Sequence, residues 1–135
     1  MGRYITGDIE LKLWYAVQPS NAADQFGCVG EGSEELSYAF YEKDIPNIEK
    51  GLDVLWERLT EDWYKRIKKF FDEVDVYSND IVKEYGFDPE EFNKRLEDYA
   101  DIELGEDILN CVLENGSCIF EADLQQERLM KEVKG

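Results

Sequence analysis

The hydrophobic period of this chain changes at Asp44, and that change confines it to folds that combine a sheet with helices. Before it, Ile9, Leu11, Leu13, Tyr15 and Val17 alternate with Glu10, Lys12, Trp14 and Ala16, which predicts a first strand over 9–17. Gln18-Pro19-Ser20-Asn21 ends that strand. The glycine-punctuated stretch 27–32 then leads to a second strand over 36–41, with Leu36, Tyr38 and Phe40 on one face. After Asp44, Ile48, Leu52, Leu55 and Leu59, then Trp63, Ile67, Phe70 and Val74, recur at helical spacing, with Asp44 as cap and Pro46 in the first turn. Thr60-Glu61-Asp62 either starts a second helix or lies inside one long one.

A short helix is expected over 79–85, stopping at Gly86, and Asp88-Pro89-Glu90-Glu91 opens another with proline at its first position. Leu104-Gly105 predicts an interruption, after which Ile108, Leu109, Val112 and Leu113 form a stripe ended by Asn115-Gly116. A third strand over 117–122 and an amphipathic tail helix carrying Leu124, Leu129 and Met130 complete the order. The expected fold is α+β, one domain over 1–135. A small antiparallel or mixed sheet, two N-terminal strands plus one near the C-terminus, packs against four to five helices.

Charge limits what such a fold can do. The chain has 32 acidic and 15 basic residues, a net charge of −17, and no histidine. So acidic a surface opposes direct contact with nucleic acid or anionic membranes. Without histidine, Ser-His-Asp and Cys-His catalysis, histidine-ligated zinc and histidine-ligated haem are excluded. Cys28, Cys111 and Cys118 form no Cys-x-x-Cys pair and are expected as buried free thiols, with no cofactor or metal. The opening Met1-Gly2-Arg3-Tyr4-Ile5-Thr6 fits a myristoylation pattern that chance produces readily. No apolar run suits a secretory signal or a membrane span, so a cytoplasmic location is expected.

Acidity is concentrated in the second half: residues 88–127 hold thirteen acids against two bases. Glu90, Glu91, Glu97, Asp98, Asp101, Glu103, Glu106 and Asp107 are therefore the expected partner-binding face. A helix presents side chains every 5–6 Å or so, close enough for their carboxylates to imitate a row of phosphates and compete for a basic groove. Lys65, Arg66, Lys68 and Lys69 are bracketed by Glu61, Asp62, Asp72 and Glu73 and are expected to be balanced along their own helix. Asp8, Glu10 and Lys12 have the spacing of a metal-dependent nuclease motif, the basis of a third reading as an enzyme. Gly27-x-x-Gly30-x-Gly32 runs into a strand and reads as a connection rather than a phosphate cradle.

The opening Gly2-Arg3-Tyr4-x-x-Gly7-Asp8-Ile9-Glu10-x-Lys12-x-Trp14, followed by Gln18-x-Ser20, resembles the start of short uncharacterised bacteriophage and prophage proteins. That resemblance implies an anti-defence context, similar to anti-CRISPR and anti-restriction inhibitors. The expected partner is then a host protein with a basic surface, a nuclease or effector that binds nucleic acid, met in the host cytoplasm. The same opening supports an alternative. Arg3, Tyr4, Lys12, Trp14, Gln18, Ser20 and Asn21 are nearly neutral and rich in hydrogen-bonding groups, and could hold a nucleotide by stacking and bidentate contacts. Trp56, Trp63, Phe70 and Phe71 also offer more aromatic surface than a small domain readily buries, which allows a homodimer.

Overall fold

A computed structural model of the chain describes residues 4–13, 18–33, 35–75 and 78–123. Its strands are β1 (Tyr4–Gly7), β2 (Leu11–Lys12), β3 (Glu35–Tyr41) and β4 (Ser117–Asp123). Its helices are α1 (Ile45–Leu59), α2 (Glu61–Glu73), α3 (Asn79–Glu84) and α4 (Pro89–Asn115), with 3-10 turns at Ala22–Phe26 and Glu42–Asp44. The class is α+β, as the change of period predicts. The expected tail helix lies outside the described residues.

The sheet has four antiparallel strands in the order β2-β1-β4-β3. β4 is central, pairing with β1 through Ile5↔Ala122 and with β3 from Glu35↔Asp123 to Tyr41↔Ser117. The strand expected over 9–17 is corrected: its described part is strand only at Leu11–Lys12, and residues 14–17 lie outside the described set. Ile9 and Glu10 belong to the turn after β1, a strand the alternation did not predict. Alternation in β3 and β4 turns Tyr38, Phe40, Cys118, Phe120 and Ala122 inward. The inward rings stack, with 5.1 Å between the Tyr38 and Phe120 centroids and 6.0 Å between Phe40 and Phe120.

α4 packs across this inner face, and α1 packs along α4. From Asp98 to Gly105 every residue of α4 is buried except the half-buried Glu103. A helix covered on all sides is the spine of a domain rather than a surface element. The break expected at Leu104-Gly105 is corrected: α4 is continuous over 27 residues. Gly105 is small because something must be. A Cβ there would lie 2.5 Å from the Phe26 ring and 2.6 Å from a Leu52 methyl, so the missing side chain lets α1 and the 22–26 turn close onto α4. The helix ends where the sequence predicts, with Gly116 left-handed at φ 82° and its N–H donating to Val112 O at 2.7 Å.

The choice left open at Thr60 resolves into two helices. Thr60 adopts φ 71° and ψ 152°, a conformation that L side chains avoid, and it both closes α1 and opens α2. Arg95 supports this corner by donating to Arg58 O, a terminal carbonyl of α1, at 2.8 Å. The aromatic residues offered for a dimer pack within the protein to differing depths. Phe70 is buried, whereas Trp56, Trp63 and Phe71 are half-buried. Arg66 stacks on Trp63 at 4.6 Å and Arg95 on the same ring at 5.4 Å.

Candidate functional site

The eight carboxylates expected to form one acidic face all lie on α4, but its helical turn distributes them around the axis. Glu90, Glu91 and Glu97 are exposed, Glu103, Glu106 and Asp107 are half-buried, and Asp98 and Asp101 are buried. The last two are used inside the fold. Arg58 Nη1 reaches Asp98 Oδ1 at 3.0 Å, a pair in which the carboxylate is enclosed and the guanidinium is half open to solvent. Gln18 Nε2 donates to Asp101 Oδ1 at 3.1 Å. Burial, helped by the charges of Glu97 and Asp98 and opposed by hydrogen bonds from the Gln25 and Gln18 amides, leaves the Asp101 carboxyl raised to about 6. Glu103 accepts from Tyr64 Oη at 3.2 Å, and burial raises the Tyr64 and Tyr99 phenols beside it.

Among the N-terminal candidates, Gln18 and Ser20 also serve the fold. Ser20 Oγ donates to Asp123 O at 2.8 Å, tying this segment to the end of β4. Tyr4 and Asn21 are exposed, while Arg3, Trp14 and the side chain of Lys12 lie outside the described residues. Gln18 lines a cavity of about 30 Å³ with Ile5, Leu11, Leu13, Ala100, Glu103 and Leu104, room for a water rather than a nucleotide. Asp8 of the nuclease-like motif spends its carboxylate on the sheet, accepting from Ile119 N at 2.9 Å. Among the described residues, no three acidic or thiol groups converge to hold a metal ion.

The basic cluster is balanced in part. Lys65 pairs with Glu61 at 3.0 Å and Arg66 approaches Asp62 at 3.9 Å, while Lys68 and Lys69 form no ion pair with the described residues. Among the described residues, no helix is long and apolar enough to cross a membrane.

Three surfaces escape a reading based on acid counts. The outer side of α1 carries Glu49, Asp53 and Glu57, exposed at four-residue intervals and making no ion pair with the described residues. The four-residue spacing was legible, and it places neighbouring carboxylates about 6 Å apart along the axis. Next to that row, an open groove of about 300 Å³ runs between α1 and the 22–27 turn, lined by Gln25, Asn47, Lys50, Val54 and Arg58 with two glycines.

The third surface is the outer face of the sheet, where β3 and β4 direct Glu35, Ser37, Ala39, Tyr41, Ile119 and Glu121 away from α4. Tyr4, Tyr41 and Ile119 are 49%, 43% and 49% exposed there. The free edge of β3 is partly occupied. Glu31 and Ser37 exchange backbone hydrogen bonds at 3.2 and 2.8 Å, Cys28 Sγ donates to Ala39 O at 3.3 Å, and Tyr41 N donates to Asp44 Oδ2 at 2.9 Å. Comparison with protein-family models, with curated proteins and with solved structures finds no match to this chain.

Proposed function

We propose that the protein works by binding, and that its partner is a protein with a positively charged surface. One observation carries this reading: a set of exposed carboxylates on α1 and α4 is left without ion pairs among the described residues, while the fold uses Asp98 and Asp101 inside. Glu49, Asp53 and Glu57 on α1 and Glu90 and Glu97 on α4 are exposed and make no ion pair with the described residues. Like charges held this close repel one another and lower the stability of the free protein. A cationic partner relieves that repulsion, and the same charges steer it into encounter before any contact forms. A groove that binds nucleic acid is the basic surface best matched to rows of carboxylates. In the phage context that the opening residues resemble, the owner of such a groove is a host nuclease or effector, and occupying the groove inhibits it.

The test is affinity capture from host lysate at low and at high salt, alongside a variant carrying Glu49→Gln, Asp53→Asn, Glu57→Gln, Glu90→Gln and Glu97→Gln. The expected result is a nucleic-acid-binding protein retained at low salt, released by high salt and missing from the variant eluate. A partner retained equally by both proteins and at both salts rejects the reading.

A further inference from the structure

Resting on that reading, we propose that the basic partner docks on the open face of the four-stranded sheet. Tyr41, Ile119 and Ala39 would receive an aliphatic or aromatic anchor, and Glu35 and Glu121 would pair with Lys or Arg side chains beside it. The acidic rows on the helices then act in steering, and the sheet face supplies the contact.

The first support is where the apolar exposure falls. Of the seven large hydrophobic side chains exposed among the described residues, three, Tyr4, Tyr41 and Ile119, stand on this one face, whereas Val29, Val54, Tyr85 and Leu113 are scattered over loops and helices. Cross-strand register sets Tyr41 and Ile119 together at one end, and Tyr4, next to Ile5 on β1, toward the other. Ala39 lies opposite Ile119 and Tyr41 opposite Ser117, while Glu121 of the central strand lies between Thr6 and Ser37. Along β4 the apolar Ile119 and the acidic Glu121 are separated by about 7 Å, a two-residue step, with Asp8 beside Ile119 as a further carboxylate already bonded to the sheet. An interface commonly has such a build, with a desolvated aromatic or aliphatic centre beside charges that set partner and orientation.

The second support is that the β3 edge, the longer of the two, is already partly occupied. Glu31, Cys28 and Asp44 already occupy backbone groups along β3, so a partner cannot simply add a strand there. Charge then selects among occupants of the face. A second copy related by a two-fold axis presents Glu35 and Glu121 to a surface carrying the same carboxylates, which repel. A basic surface makes each of them favourable.

The experiment uses the full chain, uniformly labelled for amide chemical-shift mapping, and two synthetic probes of equal charge. One is a peptide of alternating lysine and leucine, the other a lysine-only peptide. The expected result is that the lysine-leucine peptide shifts the amides of Thr6, Ser37, Ala39, Tyr41, Ile119 and Glu121. Tyr41→Ser with Ile119→Ser should then weaken that peptide at least tenfold and leave the lysine-only peptide unchanged. Circular dichroism of the double variant checks that the fold is retained, and Glu121→Gln gives a second, milder probe of the same face. If both peptides shift only α1 and α4, the docking face is wrong and the acidic-binding reading stands. Failure of both peptides to bind overturns both. If the same amides shift with protein concentration alone, or in a chain ending at Asp123, a second copy or residues 124–135 occupy the face and the proposal fails.

Discussion

The carboxamide of Gln18 donates to the buried carboxyl of Asp101 at 3.1 Å, joining positions 83 residues apart. Through this bond, and through Ser20 on Asp123, the connection after β2 is fastened to the middle of α4 and the end of β4. An acidic residue that composition alone would assign to a binding surface is here a fixture of the core.

That placement sets a pH dependence. Burial raises the Asp101 carboxyl from 3.8 to about 6, so between those values the folded state holds a proton that the unfolded chain has released. The stability that Asp101 contributes is therefore full below the lower value and is lost as pH rises through the upper one. Asp101→Asn keeps an oxygen for Gln18 and has no proton to lose. It is expected to be more stable than the parent at pH 7.5 by roughly 1–3 kcal/mol, with the difference vanishing near pH 4. Urea denaturation across that range checks both the sign and the window.

Arg58 and Asp98 make a complementary case. Removing the guanidinium leaves an enclosed carboxylate facing Asp101 with no cation, so Arg58→Met is expected to cost about 2 kcal/mol, less than a fully buried pair because Arg58 is half exposed. Adding Asp98→Leu should recover most of the loss. A double-mutant cycle in urea measures the coupling.

Gly105→Ala sets helix propensity against packing. Alanine favours a helix by about 1 kcal/mol over glycine, yet its methyl meets Phe26 and Leu52 well inside van der Waals distance. The expected outcome is net destabilisation of about 2 kcal/mol in thermal or urea unfolding. A gain in stability would contradict the close seating of α1 on α4.

Thr60→Gly should act in the opposite direction. Its φ of 71° and ψ of 152° are open to glycine and strained for threonine, and the cap it offers Trp63 N is long at 3.5 Å. Relief of strain exceeds the lost cap and the added freedom of the unfolded chain, for an expected gain of about 1 kcal/mol. Differential scanning calorimetry reads it as a raised melting temperature.

The residues themselves explain how far the sequence could be read. β3, β4 and the start of α4 were legible because their signals are local: alternation at 36–41 and 117–122, and Asp88-Pro89 at a helix opening. The turn at Asp8–Glu10 was hidden because the alternation over 9–17 continues across the residues that follow it. Gly105 misled because a glycine that breaks a helix and one that seats a neighbour look alike in sequence. The expected acidic face was divided for a related reason. Counting carboxylates gives no direction, and Arg58 and Gln18, the partners that draw Asp98 and Asp101 inward, lie 40 and 83 residues away. The open sheet face left only a faint sign, the nonpolar Ala39, Tyr41 and Ile119 at positions where solvent-facing strands usually carry polar residues.

The most direct test of electrostatic binding is the association rate between the protein and its captured partner, followed by stopped flow across ionic strengths. The account predicts a rate that falls steeply with salt, and a drop of about tenfold when Glu49, Asp53, Glu57, Glu90 and Glu97 are neutralised, with dissociation little changed. An association rate indifferent to both salt and neutralisation would contradict it.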